Sequence, residues 1–301
     1  MNQQIGFIGL GAMGKPMATN LLKRGFPLSV FDLRPEPVEA LVALGAKRAN
    51  SSREAAASAD VVISMLVSNP HVEAALLGPE GVIEGIRAGS VVIDMSTIAP
   101  ATTRKVGLEL EKKGVEMLDA PVARGVRAAT DGTLAIFVGG KPEVFAAQRR
   151  ILEAMGTDVQ YCGPLGCGEV VKLVNQLILS VNVATLAEGL VLGVKGGVSP
   201  DVLLEVLGKG SANSFALQNH YKNFALKGNF GEGIFPVDYI LKDLGLIMGT
   251  GKESSVPLFL TSVATQLYEF ARASGMNKNY FPVVIRILEH LTGVEVRTKT
   301  S

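Results

Sequence analysis

"QIGFIGLGAMGKPMATNLLKRGFPLSVFD", residues 4–32, decides the fold class. Residues 4–9 read as a short apolar strand. The next sixteen residues place apolar side chains at helical spacing and stop at Gly25. "LSVFD", 28–32, reads as a second strand with an acid, Asp32, at its end. Between the first strand and the helix lies Gly9-Leu10-Gly11-Ala12-Met13-Gly14, a G-x-G-x-x-G. That hexad alone is a weak signal. Strand, glycines, helix, strand and acid in this order are specific for dinucleotide binding. The glycines let backbone approach a pyrophosphate, and the helix start offers it free N–H groups and a positive dipole end. Gly9, Leu10, Gly11, Ala12, Met13 and Gly14 are therefore candidate cofactor-binding residues. Asp32, followed by Leu33 and Arg34, is placed to accept hydrogen bonds from the adenine ribose. Its charge would oppose a 2′-phosphate, so NAD is the expected cofactor, while Arg34 keeps NADP possible.

The alternation continues outward from that stretch. Strands are expected at 60–66, 90–97, 115–122 and 132–140, with helical patterns between them. This rhythm predicts an α/β fold with a doubly wound, mostly parallel sheet. Ligands of such sheets sit at the carboxyl ends of the strands. Leu66, Val67, Ser96, Thr97 and the loop after Val122 should thus line one crevice. Beyond Gly168 the strand signal ends. A long apolar helix over 169–195 is expected, then helices at 200–209, 214–227, 237–251, 257–274 and 280–291. The expected division is a Rossmann domain at 1–163 and an all-helical domain at 164–301, joined by the long helix.

Bulk properties narrow the partners. Net charge is +1, with 19% charged and 48% hydrophobic residues, which gives no electrostatic footprint for nucleic acid or a membrane surface. Cys162 and Cys167 cannot form a disulfide framework and lack the further ligands of a zinc site, so no metal is expected. No signal peptide is seen, and a cytoplasmic location is expected. Residues 173–194 are long enough to span a bilayer, but Asn175, Gln176, Asn182 and Glu188 interrupt them, so a buried helix is expected. Lys172 and Asn175, three residues apart, share a face of that helix. A lysine there needs a partner or a cavity.

"GFIGLGAMG", "DMST", "DAPV", "DGTLAIFVGG", "GCGEVVKLVNQ" and "LKDLGL", together and in this order, resemble the β-hydroxyacid dehydrogenases, over residues 4 to about 292. The resemblance implies a small anionic hydroxy acid or semialdehyde as substrate, NAD(P) as cofactor, and a homodimer or homotetramer. It implies that Lys172 is the catalytic lysine. Asn175 then binds substrate, Lys242 lies near substrate and nicotinamide, and Ser96 and Thr97 line the nicotinamide pocket. The chemistry agrees, because hydride transfer to an aldehyde leaves an alkoxide that needs a proton and a nearby positive charge. A non-catalytic cofactor-binding module is the alternative class, and the presence of Lys172, Asn175 and Lys242 speaks against it.

Two positions depart from the family pattern. The usual D-A-P-V-S-G-G loop, whose serine and glycine amides hold the substrate carboxylate, here reads Asp119-Ala120-Pro121-Val122-Ala123-Arg124-Gly125. The small residue followed by arginine is similar to the loop of sulfolactaldehyde reductases, where the arginine faces a sulfonate. Ala123, Arg124 and Gly125 are accordingly expected at the substrate anion, with Arg124 replacing the serine contact. Arg127 is expected to be solvated. Gln176 stands where a second asparagine is usual and reaches one methylene further into the substrate pocket. Arg124 favours a three-carbon sulfonate aldehyde as the expected substrate, with carboxylate semialdehydes of the 3-hydroxyisobutyrate, tartronate, succinate or hydroxymethylglutarate type as the alternative.

Overall fold

The computed structural model describes residues 3–298. The chain divides into two compact units, Met1–Lys172 and Leu173–Ser301. The first unit runs β1 (Ile5–Ile8), α1 (Gly14–Lys23), β2 (Leu28–Phe31), α2 (Pro35–Val42), β3 (Lys47–Arg48), α3 (Ser52–Ala56), β4 (Val61–Ser64), α4 (Asn69–Leu77), β5 (Val91–Asp94), α5 (Pro100–Glu111), β6 (Glu116–Asp119), β7 (Val122–Ala123), α6 (Gly125–Asp131), β8 (Leu134–Gly139), α7 (Pro142–Leu152) and β9 (Gly156–Gly163). The strands form one sheet in the order β3-β2-β1-β4-β5-β6-β8. The first six are parallel. β8 runs antiparallel to β6 and β7, and β9 lies parallel to β8. The doubly wound, mostly parallel sheet is therefore present, with its direction reversed at β8.

Strand alternation sends each sheet face to its own core. Ile5, Phe7, Val30, Ile63, Ile93 and Ile136 pack with α1, α2, α6 and α7. Ile8, Val62 and Val92 pack with α3, α4 and α5 on the opposite face. Gly6 belongs to that second face. A Cβ there would lie 2.4 Å from the Ala55 carbonyl oxygen, so α3 sits directly on the β1 backbone.

The 119–140 stretch differs from its sequence reading of strand, loop and strand. The chain leaves β7 through Arg124 at φ 84°, then makes the seven-residue α6, which opens on Gly125 at φ 73° and is closed by Gly132 at φ 69°. Residues in the left-handed region bracket the helix and hide it from a periodicity reading.

The second unit holds most of α8 (Cys167–Lys195), then α9 (Pro200–Lys209), α10 (Val237–Glu253), α11 (Phe259–Ala271) and α12 (Ile285–Thr292). α8 starts two residues earlier than the sequence pattern indicates. Its Leu173, Val183, Ala187 and Leu190 pack with Tyr221, Ile240, Leu244, Tyr268 and Phe281. Two buried tyrosines donate hydrogen bonds to α8 carbonyls, Tyr221 to Val183 at 2.7 Å and Tyr268 to Ser180 at 3.1 Å. The expectation of a buried helix holds on one side only. Val174, Ile178 and Leu192 are exposed. The 214–227 segment is not one regular helix either. It makes a π-helical stretch, Ala216–Tyr221, then a 3-10 turn, Ala225–Lys227, that ends at Gly228 with φ 71°.

Gly6→Ala should lower unfolding stability by about 1–3 kcal/mol, because the added methyl must push α3 off the sheet. Thermal or urea unfolding reads this directly, and an unchanged midpoint would show that α3 yields freely.

Candidate active site

In the first unit the glycine hexad has the geometry a dinucleotide needs. Gly9 has φ 89°, and a Cβ on it would meet the Met65 carbonyl oxygen at 2.4 Å. A Cβ on Gly14 would fall 1.9 Å from the Gly9 carbonyl oxygen, so α1 can approach β1 this closely only without a side chain there. Gly11 is different. Nothing crowds it, and the Arg34 guanidinium, 4.0 Å from a would-be Cβ, is the nearest group. A Cβ at Gly11 would fill the space where a pyrophosphate is expected to approach. Met13, which precedes α1, supplies no side-chain cap, so the helix start is left to a ligand or solvent. Leu10 is buried and Ala12 is exposed.

Asp32 stands one residue past β2. It accepts the Leu10 N–H at 2.7 Å, the Arg34 N–H at 2.9 Å and the Arg34 Nε–H at 3.2 Å. Partial burial pushes its carboxyl up, but the N–H groups of Arg34 and Leu10 and the guanidinium outweigh this and hold it below its ordinary value. It is thus an anion tying the hexad to the end of β2. Leu33 beside it is 88% exposed.

The ends of β4 and β5 carry a second carboxylate. Asp94 is fully buried. Its Oδ1 accepts the Ser64 hydroxyl at 2.7 Å, the Ser96 hydroxyl at 2.6 Å and the Ser96 N–H at 3.3 Å. The Ser96 oxygen in turn accepts the Leu66 N–H at 2.8 Å. Ser96 therefore holds the β4 and β5 loops together, and its hydroxyl is committed within the sheet edge. Val67, next to Leu66, is exposed, and Thr97 is half-buried. Burial pushes the Asp94 carboxyl up to about 6, against the pull of the Ser96 and Ser64 hydroxyls, and its Oδ2 has no hydrogen-bond partner.

The loop after β7 differs from its sequence reading in one respect. Arg124 donates to Asp158 Oδ2 at 2.9 Å and to the Thr133 carbonyl at 3.2 Å. Its guanidinium is engaged along the sheet margin rather than held out as an unpaired cation. Ala123 is half-buried and Gly125 exposed. Arg127 is solvated as expected, with a side chain 95% exposed and 3.6 Å from Asp131.

Lys172 lies in the second turn of α8 and is 7% exposed. The helix start that carries it is held by Asp119 at the end of β6. Asp119 accepts the Gly166 N–H at 2.7 Å on Oδ1 and the Glu169 N–H at 2.8 Å on Oδ2. Burial pushes its carboxyl up, opposed by those two N–H groups.

The second unit contributes its own network. Asn175 donates to Gln176 Oε1 at 3.1 Å, and Gln176 donates to Asp243 Oδ2 at 2.7 Å. Lys242 Nζ lies 3.0 Å from Asp243 Oδ1. Lys242, far in sequence from Asn175 and Gln176, is thus brought into one network with them by Asp243. Gln176, 4% exposed, uses its extra methylene to reach that carboxylate. Asp94, Asp119 and Asp243 lie in the sequence stretches DMST, DAPV and LKDLGL, but spacing alone gives them no role.

Residues 4–163 match the family described as the NAD binding domain of 6-phosphogluconate dehydrogenase, and 166–288 the NAD-binding domain of NADP-dependent 3-hydroxyisobutyrate dehydrogenase. The chain is 43% identical over 293 residues to 2-(hydroxymethyl)glutarate dehydrogenase of Eubacterium barkeri, covering 97% of each chain. The chain belongs to the β-hydroxyacid dehydrogenase family. It is also 39% identical to NAD-dependent L-serine dehydrogenase of Pseudomonas aeruginosa, covering 97% of this chain and 99% of that one. Among solved structures it matches Mycobacterium tuberculosis 3-hydroxyisobutyrate dehydrogenase with L-serine at a TM-score of 0.87 and 32% identity, over 96% of this chain and 99% of that one. As a family member the protein is an NAD(P)-dependent hydroxyacid dehydrogenase, and the hexad and Asp32 fit that cofactor.

Two outcomes are expected. If Asp32 is the ribose acceptor, Asp32→Ser removes it and leaves Arg34, so NADH affinity should fall and NADPH affinity rise, each by about tenfold for a change of 1.4 kcal/mol. Fluorescence titration with both nucleotides checks this, and unchanged affinities would remove Asp32 from the ribose site. Asp94 gives a signed pH effect. Its folded value, about 6, lies above its ordinary 3.8, so its contribution to stability is complete below pH 4 and is lost as pH rises through 6. Asp94→Asn should flatten that fall in unfolding midpoints between pH 4 and 7.5, and an unaltered slope would assign it to other groups.

Proposed function

We propose that the protein interconverts a small 3-hydroxy carboxylate and its semialdehyde, with NAD(H) preferred and Lys172 moving the proton. The carrying observation is Lys172 itself, almost fully buried in the second turn of α8, with Asn175 one helical turn further on. A nicotinamide coenzyme held at the glycine hexad and Asp32 would supply the hydride acceptor for oxidation of the carbinol carbon and the hydride donor for the reverse reaction. The Lys172 amine accepts the proton of the hydroxyl as the carbonyl forms and returns it to the alkoxide on reduction. Asn175, steadied by Gln176, orients the substrate. Lys242 supplies positive charge, with Asp243 fixing its position. The preference for NAD rests on the Asp32 carboxylate.

The three relatives point to a common chemical unit. L-serine, 3-hydroxyisobutyrate and 2-(hydroxymethyl)glutarate each carry a hydroxymethyl group on the carbon next to a carboxylate. This favours a carboxylate over a sulfonate here. The sulfonate reading rests on Arg124, whose guanidinium already gives two of its five N–H groups to Asp158 and Thr133. We also read the exposed apolar face of α11, with Phe259, Leu260, Val263 and Phe270, as covered by a second copy in a homodimer or homotetramer. A monomeric mass by light scattering would overturn that.

The deciding experiment measures NAD-linked turnover of those three hydroxy acids beside reduction of sulfolactaldehyde. One of the carboxylates should be the best substrate. Lys172→Ala should lower kcat by about 10²- to 10⁴-fold while NADH still binds. Full turnover in that variant would refute the proton role. A preference for sulfolactaldehyde, with KM raised tenfold or more by Arg124→Ser, would establish the sulfonate reading instead.

A further inference from the structure

We infer that Asp119 is a positioning residue for the reaction: its carboxylate sets the rotation and height of α8 and thereby places the Lys172 amine. This rests on the reading of Lys172 as the proton-transfer residue.

The geometry is specific to one carboxylate in one place. Asp119 ends β6, is 0% exposed, and spreads its two oxygens over the start of α8. Oδ1 takes the N–H of Gly166, just before the helix, and Oδ2 that of Glu169, in its first turn. Two N–H groups three residues apart define both a height along the helix axis and an angle about it. A single capping bond would leave rotation free. Lys172 follows Glu169 by three residues, so it lies on the face that Asp119 grips, one turn up. A shift at the cap is therefore carried to Lys172 with little loss along a hydrogen-bonded helix.

The surroundings are cut to this carboxylate. A Cβ on Gly139, opposite Asp119 in the sheet, would fall 2.3 Å from Oδ1. A Cβ on Gly168 would fall 2.9 Å from Oδ2 and 2.3 Å from the Phe137 carbonyl oxygen. Both neighbours are glycines, so the carboxylate has one seat. A buried anion at the positive end of a long helix is also favoured by the helix dipole. Its two charge-assisted hydrogen bonds are stiffer than neutral ones.

Asp119→Asn tests the idea. The amide keeps one acceptor and turns an NH2 toward the other N–H, so one of the two bonds is lost. Asp119→Ser, a shorter single acceptor, is the second variant. Each is assayed with saturating NADH, which holds the folded form, and turnover is normalised to NADH-binding sites counted by fluorescence titration. Expected are a kcat lowered by about tenfold to a hundredfold, an NADH Kd within twofold of the parent, and a larger solvent isotope effect on kcat because proton transfer is slowed. A purely structural role would lower the number of binding sites and leave turnover per site and the isotope effect unchanged, which overturns the proposal. Lys172→Ala keeps the two readings apart. If it retains turnover, the proton role fails whatever Asp119 does. If it is inactive while Asp119→Asn turns over at the parent rate per site, only the positioning role fails.

Discussion

At the carboxyl edge of a parallel sheet the strands stop pairing, but the backbone continues, and its N–H groups must find acceptors where water is scarce. In the first unit three carboxylates meet that demand. Asp32 holds the hexad through Leu10, Asp94 holds the β5 loop through Ser96, and Asp119 holds the start of α8 through Gly166 and Glu169. Asp94 and Asp119 are neighbours in the sheet register. Each carboxylate turns a mobile loop into a fixed part of the crevice in which the coenzyme is expected. A carboxylate suits this position because it offers several lone pairs and its bonds are charge-assisted. Burial raises Asp94 and Asp119, so this order is achieved against a desolvation cost.

The second unit solves a similar problem with one acid. Asp243 is nearly fully buried and takes one bond on each oxygen, an ammonium on one and an amide on the other. Because Gln176 also accepts from Asn175, the carboxylate governs the direction of the Asn175 amide through an intermediary. Pairing with Lys242 makes burial of the acid tolerable, and the acid in turn keeps the lysine from wandering.

Much of this architecture can be read from the string of residues, for a definite reason. The hexad, the helix after it and Asp32 act within one βαβ unit, so spacing alone carries them. The buried acids are visible as residues but not as roles. The partners of Asp119 lie 47 and 50 residues away, Ser64 lies 30 from Asp94, and Gln176 meets Asp243 across 67. No local pattern encodes such distances. The early start of α8 has this origin, since its first turn is fixed by an acid from another strand. Helix α6 escapes for a different reason. It is short and bracketed by positive φ values at Arg124, Gly125 and Gly132, so the glycines read as a loop. The engagement of Arg124 by Asp158 is equally invisible, and it is what tempers the sulfonate reading.

Arg124 adopts a backbone conformation that glycine takes freely and an L side chain takes at a cost of about 1–2 kcal/mol. The solvent-screened bonds from its guanidinium to Asp158 and Thr133 return part of that cost, which couples the arginine to its acid. Such a pair is expected to drift jointly through a lineage. Once Asp158 is lost, glycine becomes the easier occupant of position 124, and once glycine is there, selection on residue 158 relaxes. The turn can therefore change its surface chemistry in a single concerted replacement while β7, α6 and the sheet beneath them keep their shape.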